Sequence, residues 1–246
     1  MQYQNPIRDC QLLMLKQVYE PLWGLLFPET CPRCGGPTST GFCTPCRHDF
    51  PQNIRACRQC GIGPLPSGAK VCAQHNPAWQ TDQILAPLLF AWPLERYIYA
   101  LKFGGQRALG RALGQILAES AAPQRCNIDA IVSVPLHPRR LLQRGYNQAL
   151  EIARSVSAQL HIPILRAGIQ RCKATPPQSR LTAAQRQQNI AGAFAVRRDL
   201  SGRRVAIVDD VITTGATVNA LANAIRAAGA TRVEAWAVAR TPLPPV

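Results

Sequence analysis

Long apolar runs are missing from this 246-residue chain. No window approaches the roughly 18 uncharged apolar residues that a membrane-spanning helix needs, so membrane insertion is not expected. The nearest candidate, Leu12 to Phe27, is interrupted by Lys16, Glu20 and Pro21. No small-residue cleavage site follows it, which argues against a secretory signal. The expectation is an amphipathic helix over residues 1–27 and a cytoplasmic protein. Acidic residues are scarce, with 13 Asp and Glu against 28 Lys and Arg. Lysine is scarce too, supplying four of the 28 bases. No internal repeat is visible beyond short cysteine pairs. What is present is globular: 47% hydrophobic residues, enough chain for one large or two small domains.

The net charge of +15 is unevenly spread. From Arg96 to Arg204 there are 18 Lys and Arg against four acids, Glu119, Asp129, Glu151 and Asp199. Such a field attracts polyanions, either nucleic acid or a small ligand rich in phosphate. Charge alone does not separate DNA from RNA, and an arginine-rich composition can arise without any polyanion.

Ten cysteines in a chain expected in the cytoplasm point to metal rather than disulfides. Seven of them, with one histidine, form the close pairs Cys31-x2-Cys34, Cys43-x2-Cys46, Cys57-x2-Cys60 and Cys72-x2-His75. Each C-x2-C turn puts two thiolates on one side of a knuckle, and two knuckles close a tetrahedron around Zn²⁺. Pro32, Gly35, Gly36, Pro45, Gly61 and Gly63 supply the sharp turns. Sequential wiring gives a Cys31/Cys34/Cys43/Cys46 site and a Cys57/Cys60/Cys72/His75 site. Interleaved wiring pairs the first knuckle with the third. Four protein ligands leave no place for water, so one or two such ions would be structural. Residues 28–78 read as this zinc module. Cys10, Cys126 and Cys172 stand apart as core or incidental thiols.

From about Thr81 the pattern changes to alternating strands and helices. Strands are expected over Ile84–Trp92, Asp129–Pro135, Ile164–Ile169, Ala193–Val196, Val205–Val208 and Val233–Ala239. Helices are expected over Leu94–Phe103, around Leu109–Leu117, up to about Leu160, after Thr182, and from Thr213 to about Gly229. Pro135–Arg144 and the stretch before Asn147 read as a loop, and Arg171–Leu181 as a polar loop placed to act as a lid. This is an α/β domain over residues 81–246 with a mainly parallel sheet flanked by helices. Ligands in such sheets bind beyond the carboxyl ends of the strands.

The most informative stretch is Val205-Ala-Ile-Val-Asp-Asp-Val-Ile-Thr-Thr-Gly-Ala-Thr217. A buried strand is read to end at Asp209 and Asp210. Thr213, Thr214, Gly215, Ala216 and Thr217 then open an alanine-rich helix. Hydroxyls and free backbone N–H groups at the positive end of a helix make a phosphate seat. Two carboxylates beside it repel phosphate but suit sugar hydroxyls or a divalent metal. After the strand ending at Val134, Arg139, Arg140 and Arg144 offer forked donors for a second phosphate group. An ordinary strand–helix junction and a solvated basic loop are the plainer readings of these two segments.

The thirteen-residue stretch resembles the 5-phosphoribosyl 1-pyrophosphate (PRPP) motif of type I phosphoribosyltransferases. The resemblance implies that Asp209 and Asp210 address the ribose hydroxyls and that Thr213–Thr217 hold the 5′-phosphate. Val134-Pro-Leu-His-Pro-Arg-Arg140, Arg144-Gly-Tyr-Asn-Gln148, Ala100-Leu-Lys-Phe-Gly104 and Gln178-Ser-Arg-Leu181, with the paired knuckles, resemble the ComF/GntX family of phosphoribosyltransferase-like competence proteins. Relatives there more often carry Cys at the position of His75 and Tyr at that of Phe103. The resemblance implies PRPP or a 5′-phosphorylated nucleotide as ligand, Mg²⁺ with it, roles in DNA uptake, and single-stranded DNA as a partner. A DNA-uptake helicase or processing protein would be a further partner. In an enzyme of this kind, Lys102, Arg139, Arg140 and Arg144 would stabilise leaving pyrophosphate, with Lys173 or Arg180 reaching in from the lid. No segment reads as a base-recognition hood, so transferase, PRPP sensor and binding protein all stay open.

Overall fold

Residues 204–212 and 232–240 each carry six apolar residues in nine, largely β-branched or small, a pattern that suits strands covered on both faces. They form the two longest strands of the fold. The computed structural model describes residues 29–72, 79–173 and 192–242. The expected helix over 1–27, the segment after Thr182, His75 and Arg180 lie outside them. Two compact units divide the chain, Met1–Arg47 and His48–Val246.

In the first unit, a tight turn brings the Gly35 amide to the Cys31 carbonyl at 2.9 Å, and the Cys31 amide to the Gly36 carbonyl at 2.8 Å. Thr30 and Pro37 form an antiparallel bridge across it. Phe42 is fully buried. The short helix α1 (Thr44–His48) carries Cys46.

In the second unit the elements are β1 (Gln83–Leu85), β2 (Leu88–Leu89), α2 (Leu94–Phe103), α3 (Ala108–Ala121) and β3 (Ala130–Ser133). Then come α4 (Pro138–Arg144), α5 (Gln148–Leu160), β4 (Ile169–Arg171), β5 (Phe194–Val196), β6 (Arg204–Ile212), α6 (Ala216–Ala227) and β7 (Arg232–Arg240). The main sheet runs β1-β7-β6-β3, with β2 also on β7, and every pairing is parallel. Val205 and Ile207 share a core with Leu221 and Ile225 of α6. Alternate residues of the strands face the other way, where α3 and α5 pack on each other and on β7, β6 and β3. Gly114 permits that helix contact, since a Cβ there would lie 2.7 Å from the Ile152 carbonyl oxygen. Among the described residues, no helix is long and apolar enough to cross a membrane.

Several elements depart from the sequence expectation. The strand expected over Ile84–Trp92 is two short pieces, because Ala86-Pro87 interrupts it and proline has no N–H to give a ladder. Ile164 makes one bridge to Ile131, while Ile169–Arg171 pairs antiparallel with Phe194–Val196 outside the main sheet. Arg171 is therefore a strand residue and not the start of a loop. Pro138–Arg144 is a helix, not a loop. Its proline sits in the first turn, where a missing N–H costs nothing. The His137 side chain accepts from the Arg139 amide as its cap.

Candidate functional site

The acidic pair lies inside β6 rather than at its end. The strand continues to Ile212, since β7 pairs with it as far as Arg240. Asp209 and Asp210 are consequently buried, at 9% and 3% exposure. The Asp210 amide donates to Asp209 Oδ1 at 2.9 Å. Two adjacent buried carboxylates cannot both ionise without help. That help comes from α2, whose Leu94, Ile98 and Leu101 are buried and whose last turn carries Lys102. Lys102 Nζ meets Asp210 Oδ2 at 2.7 Å.

The titration of the three groups follows from this geometry. Burial, and then the Asp210 charge, push the Asp209 carboxyl well above the usual carboxylate range. Burial also opposes charge on Asp210, but Lys102 outweighs it and holds that carboxyl below the ordinary value. Burial opposes the Lys102 ammonium, and the attraction of Asp210 reverses the balance and raises it. The two neighbouring acids are thus pushed in opposite directions, Asp209 towards holding its proton and Asp210 towards losing it.

Directly after β6, Thr213 and Thr214 are exposed and Thr217 is half-buried. Gly215 caps α6 with φ of 81°, a left-handed conformation that favours glycine. Ala216 is buried, and its amide donates to Thr214 Oγ1 at 3.4 Å. The Trp79 ring lies against Gly215 so closely that a Cβ there would fall 1.9 Å from it. The turn offers hydroxyls and the N-terminal end of a helix beside the acids, an arrangement that suits a phosphorylated sugar.

The predicted cations divide. Lys102 and Arg144 are brought to the acids: Arg144 feels the Asp210 charge, and its guanidinium lies over the Phe103 ring at 5.0 Å from the centroid. Gln148 Oε1 accepts from Arg144 Nη1 at 2.5 Å. Arg140 is half-buried on α4, and Arg139 is exposed at its start. Lys173 is exposed, with its Nζ beside Gly192. Sequence reasoning missed Arg171, which is only 7% exposed, lies over the Phe194 ring, and senses the charges of both Arg140 and Asp209. Burial, then Arg140, weakens its hold on its proton. The signal was an arginine at an inward-facing position of a short strand. A cavity of about 540 Å³ opens beside it, lined by Arg107, Arg154, Arg166 and Arg171, with Tyr146 and Glu151.

The cysteines fall into two sets whose sulfurs lie within 4.8 Å of one another: Cys31, Cys34, Cys43 and Cys46, and Cys57, Cys60 and Cys72. This is the sequential wiring. Backbone N–H groups of Cys43, Cys34 and Arg33 overcome burial and lower Cys31 to about 6. Burial and its sulfur neighbours push Cys46 up to about 12. In the second set, amides including that of Cys72 overcome burial and lower Cys57 to about 7, whereas burial, Cys57 and Cys72 drive Cys60 up to about 12. Crowded thiols of such divided acidity suit a divalent cation, which would let every sulfur ionise. The donor sets fit structural zinc.

A parallel sheet with a buried acid pair feeding a threonine turn, in a chain that also carries two cysteine clusters, defines a phosphoribosyltransferase-type domain with a zinc ribbon. The comparisons agree. Residues 146–243 match the family model described as "Phosphoribosyl transferase domain", and residues 22–75 match "Double zinc ribbon domain". The chain is 34% identical to "DNA utilization protein YhgH" of Escherichia coli (strain K12), over 88% of this chain and 99% of that protein. It is 31% identical to "Competence protein F" of Haemophilus influenzae, over 87% and 98%. The chain belongs to this family of phosphoribosyltransferase-like competence proteins, the ComF/GntX family. A purine phosphoribosyltransferase structure from Pyrococcus horikoshii aligns with 21% identity and a TM-score of 0.32, covering 66% of this chain and 82% of that one.

Proposed function

We propose that the chain binds PRPP with Mg²⁺ and works on single-stranded DNA in the cytoplasm. The observation that carries the ligand is the ion pair between Lys102 of α2 and Asp210 of β6, placed immediately before a turn of exposed hydroxyls at the head of α6. Asp209 and Asp210 would accept from the ribose hydroxyls. The amides and hydroxyls of Thr213–Thr217 would hold the 5′-phosphate. Arg144 and Arg140, with Lys102, would face the pyrophosphate; Arg139, Lys173 and Arg180 would serve its outer side. Mg²⁺ would be held chiefly by the pyrophosphate and water, because it dehydrates reluctantly and needs few protein ligands. His75 would complete the second ligand set, with Cys57, Cys60 and Cys72. The proposed division is a leading segment over 1–27, a ribbon over 28–78 and the sugar-phosphate domain over 81–246.

DNA enters through the relatives' names, DNA utilization protein and competence protein, together with the +15 charge. We assign the strand to the arginine-lined cavity beside Arg171, whose size suits a nucleotide. The same cavity favours a second reading, in which an acceptor seated there displaces pyrophosphate from C1 of the ribose. Titration calorimetry with PRPP and Mg²⁺ decides the first reading: binding at or below millimolar concentration is expected, and no heat at that level overturns it. Pyrophosphate release with free bases or single strands decides the second.

A further inference from the structure

Arg240 ends β7 and is 4% exposed. A guanidinium is seldom buried unless its donors are used, because desolvating the charge is costly. Here they are divided between two places. Nε donates to the carbonyl of Cys60 at 2.8 Å. Nη1 donates to the carbonyl of Ile212 at 2.8 Å, and also to those of Thr213 and Thr241. Cys60 is one of the clustered thiols, and Ile212 and Thr213 begin the threonine turn. One side chain therefore joins a metal ligand's own backbone to the backbone of the phosphate seat.

Trp79 makes a second, independent link. It packs against the small cluster of Cys57, Cys60 and Leu65, and also against the core that contains Ile212 and Ala216. Its ring rests on Gly215. The segment that carries it is fixed along α6: the Gln80 amide donates to Asn219 Oδ1 at 3.0 Å, and Arg226 Nε donates to the Gln80 carbonyl at 2.9 Å. On the cysteine side, the Cys72 amide donates to Cys57 Sγ at 3.3 Å.

We propose that the second cysteine cluster, Cys57, Cys60 and Cys72, sets the conformation of the phosphate turn, with Arg240 and Trp79 as positioning residues. Metal held by Cys57, Cys60 and Cys72 thereby governs affinity for the phosphorylated sugar. This rests on the PRPP reading for its ligand but not for its mechanics. Zinc supplies only closure of the sulfur set; the residues of the chain transmit it.

The test uses the full, zinc-loaded chain and the variants Cys72→Ser, Arg240→Lys and Trp79→Leu, with Arg232→Lys at the opposite end of β7 as reference. Amide hydrogen exchange is read at residues 211–217 and, separately, at Val205–Val208 in the strand. Each of the three changes should speed exchange in the turn while the strand stays protected. PRPP–Mg²⁺ binding should weaken about tenfold or more, as loss of an orienting partner commonly does. Arg232→Lys should change neither. An unaltered turn in variants whose strand stays protected overturns the proposal. Where Cys72→Ser costs the fold, Trp79→Leu decides, because it leaves the sulfurs and Arg240 in place. If the wild-type chain binds no PRPP yet turn exchange still follows the three substitutions, the mechanical link stands and the ligand reading falls.

Discussion

Burial and the neighbouring Asp210 charge favour the protonated form of the Asp209 carboxyl, and that has a consequence for stability. A carboxyl whose pKa is raised by folding binds its proton more tightly folded than unfolded. Its stabilising effect is complete below the ordinary value and is lost as pH rises through the folded value. Asp209→Asn removes that loss. The melting temperature of the variant should exceed that of the free wild-type protein by a margin that widens from pH 4 upwards, while PRPP binding disappears. Thermal scans across pH check the first half and calorimetry the second. Asp210 behaves in the opposite sense. Lys102 keeps its pKa low, so its contribution is present above the ordinary carboxylate value and fades as pH falls through the folded one. Lys102→Met leaves that charge buried without its ammonium. A loss of about 3 kcal/mol by denaturant titration is expected, the lower end for a broken buried pair because Lys102 keeps some solvent contact.

Elements explain why these residues meet. The turn between β6 and α6 depends on Gly215 in a left-handed conformation under the Trp79 ring. Gly215→Ala should cost at least about 1–2 kcal/mol from the backbone alone. It should also displace Trp79, and urea unfolding with PRPP titration would register both. Much of this element was readable beforehand: Val205–Val208 announced a covered strand, and Thr213–Thr217 announced a helix start. The acids were placed one step too far out, since charge ordinarily marks a strand's end. Only the pairing with β7 as far as Arg240 shows that they lie within the sheet. Helix α4 escaped notice because seven residues are too few for a hydrophobic period. Trp79 and Arg240 were invisible for a different reason. Their importance comes from partners distant in sequence, such as Cys60 to Arg240, and no local pattern encodes that.

At the scale of the molecule, the charge balance would set how the chain meets the single strand proposed above. If Arg107, Arg154, Arg166 and Arg171 each meet one phosphate of a single strand, log K should fall against log salt with a slope of about −3. Fluorescence anisotropy with a labelled oligonucleotide at several salt concentrations measures it. Arg166→Glu should flatten the slope and weaken binding to all sequences alike. A slope near zero would remove the cavity from consideration as the strand's seat.

Among the described residues, the seven clustered sulfurs are shared between the two units, four in Met1–Arg47 and three in His48–Val246. Metal occupancy is then a two-digit number rather than a yes or no. Preparations can contain four populations with one mass of polypeptide but unequal ion content. Stoichiometry by native mass spectrometry belongs beside every affinity quoted for such a protein, because an average over the mixture would describe none of its members.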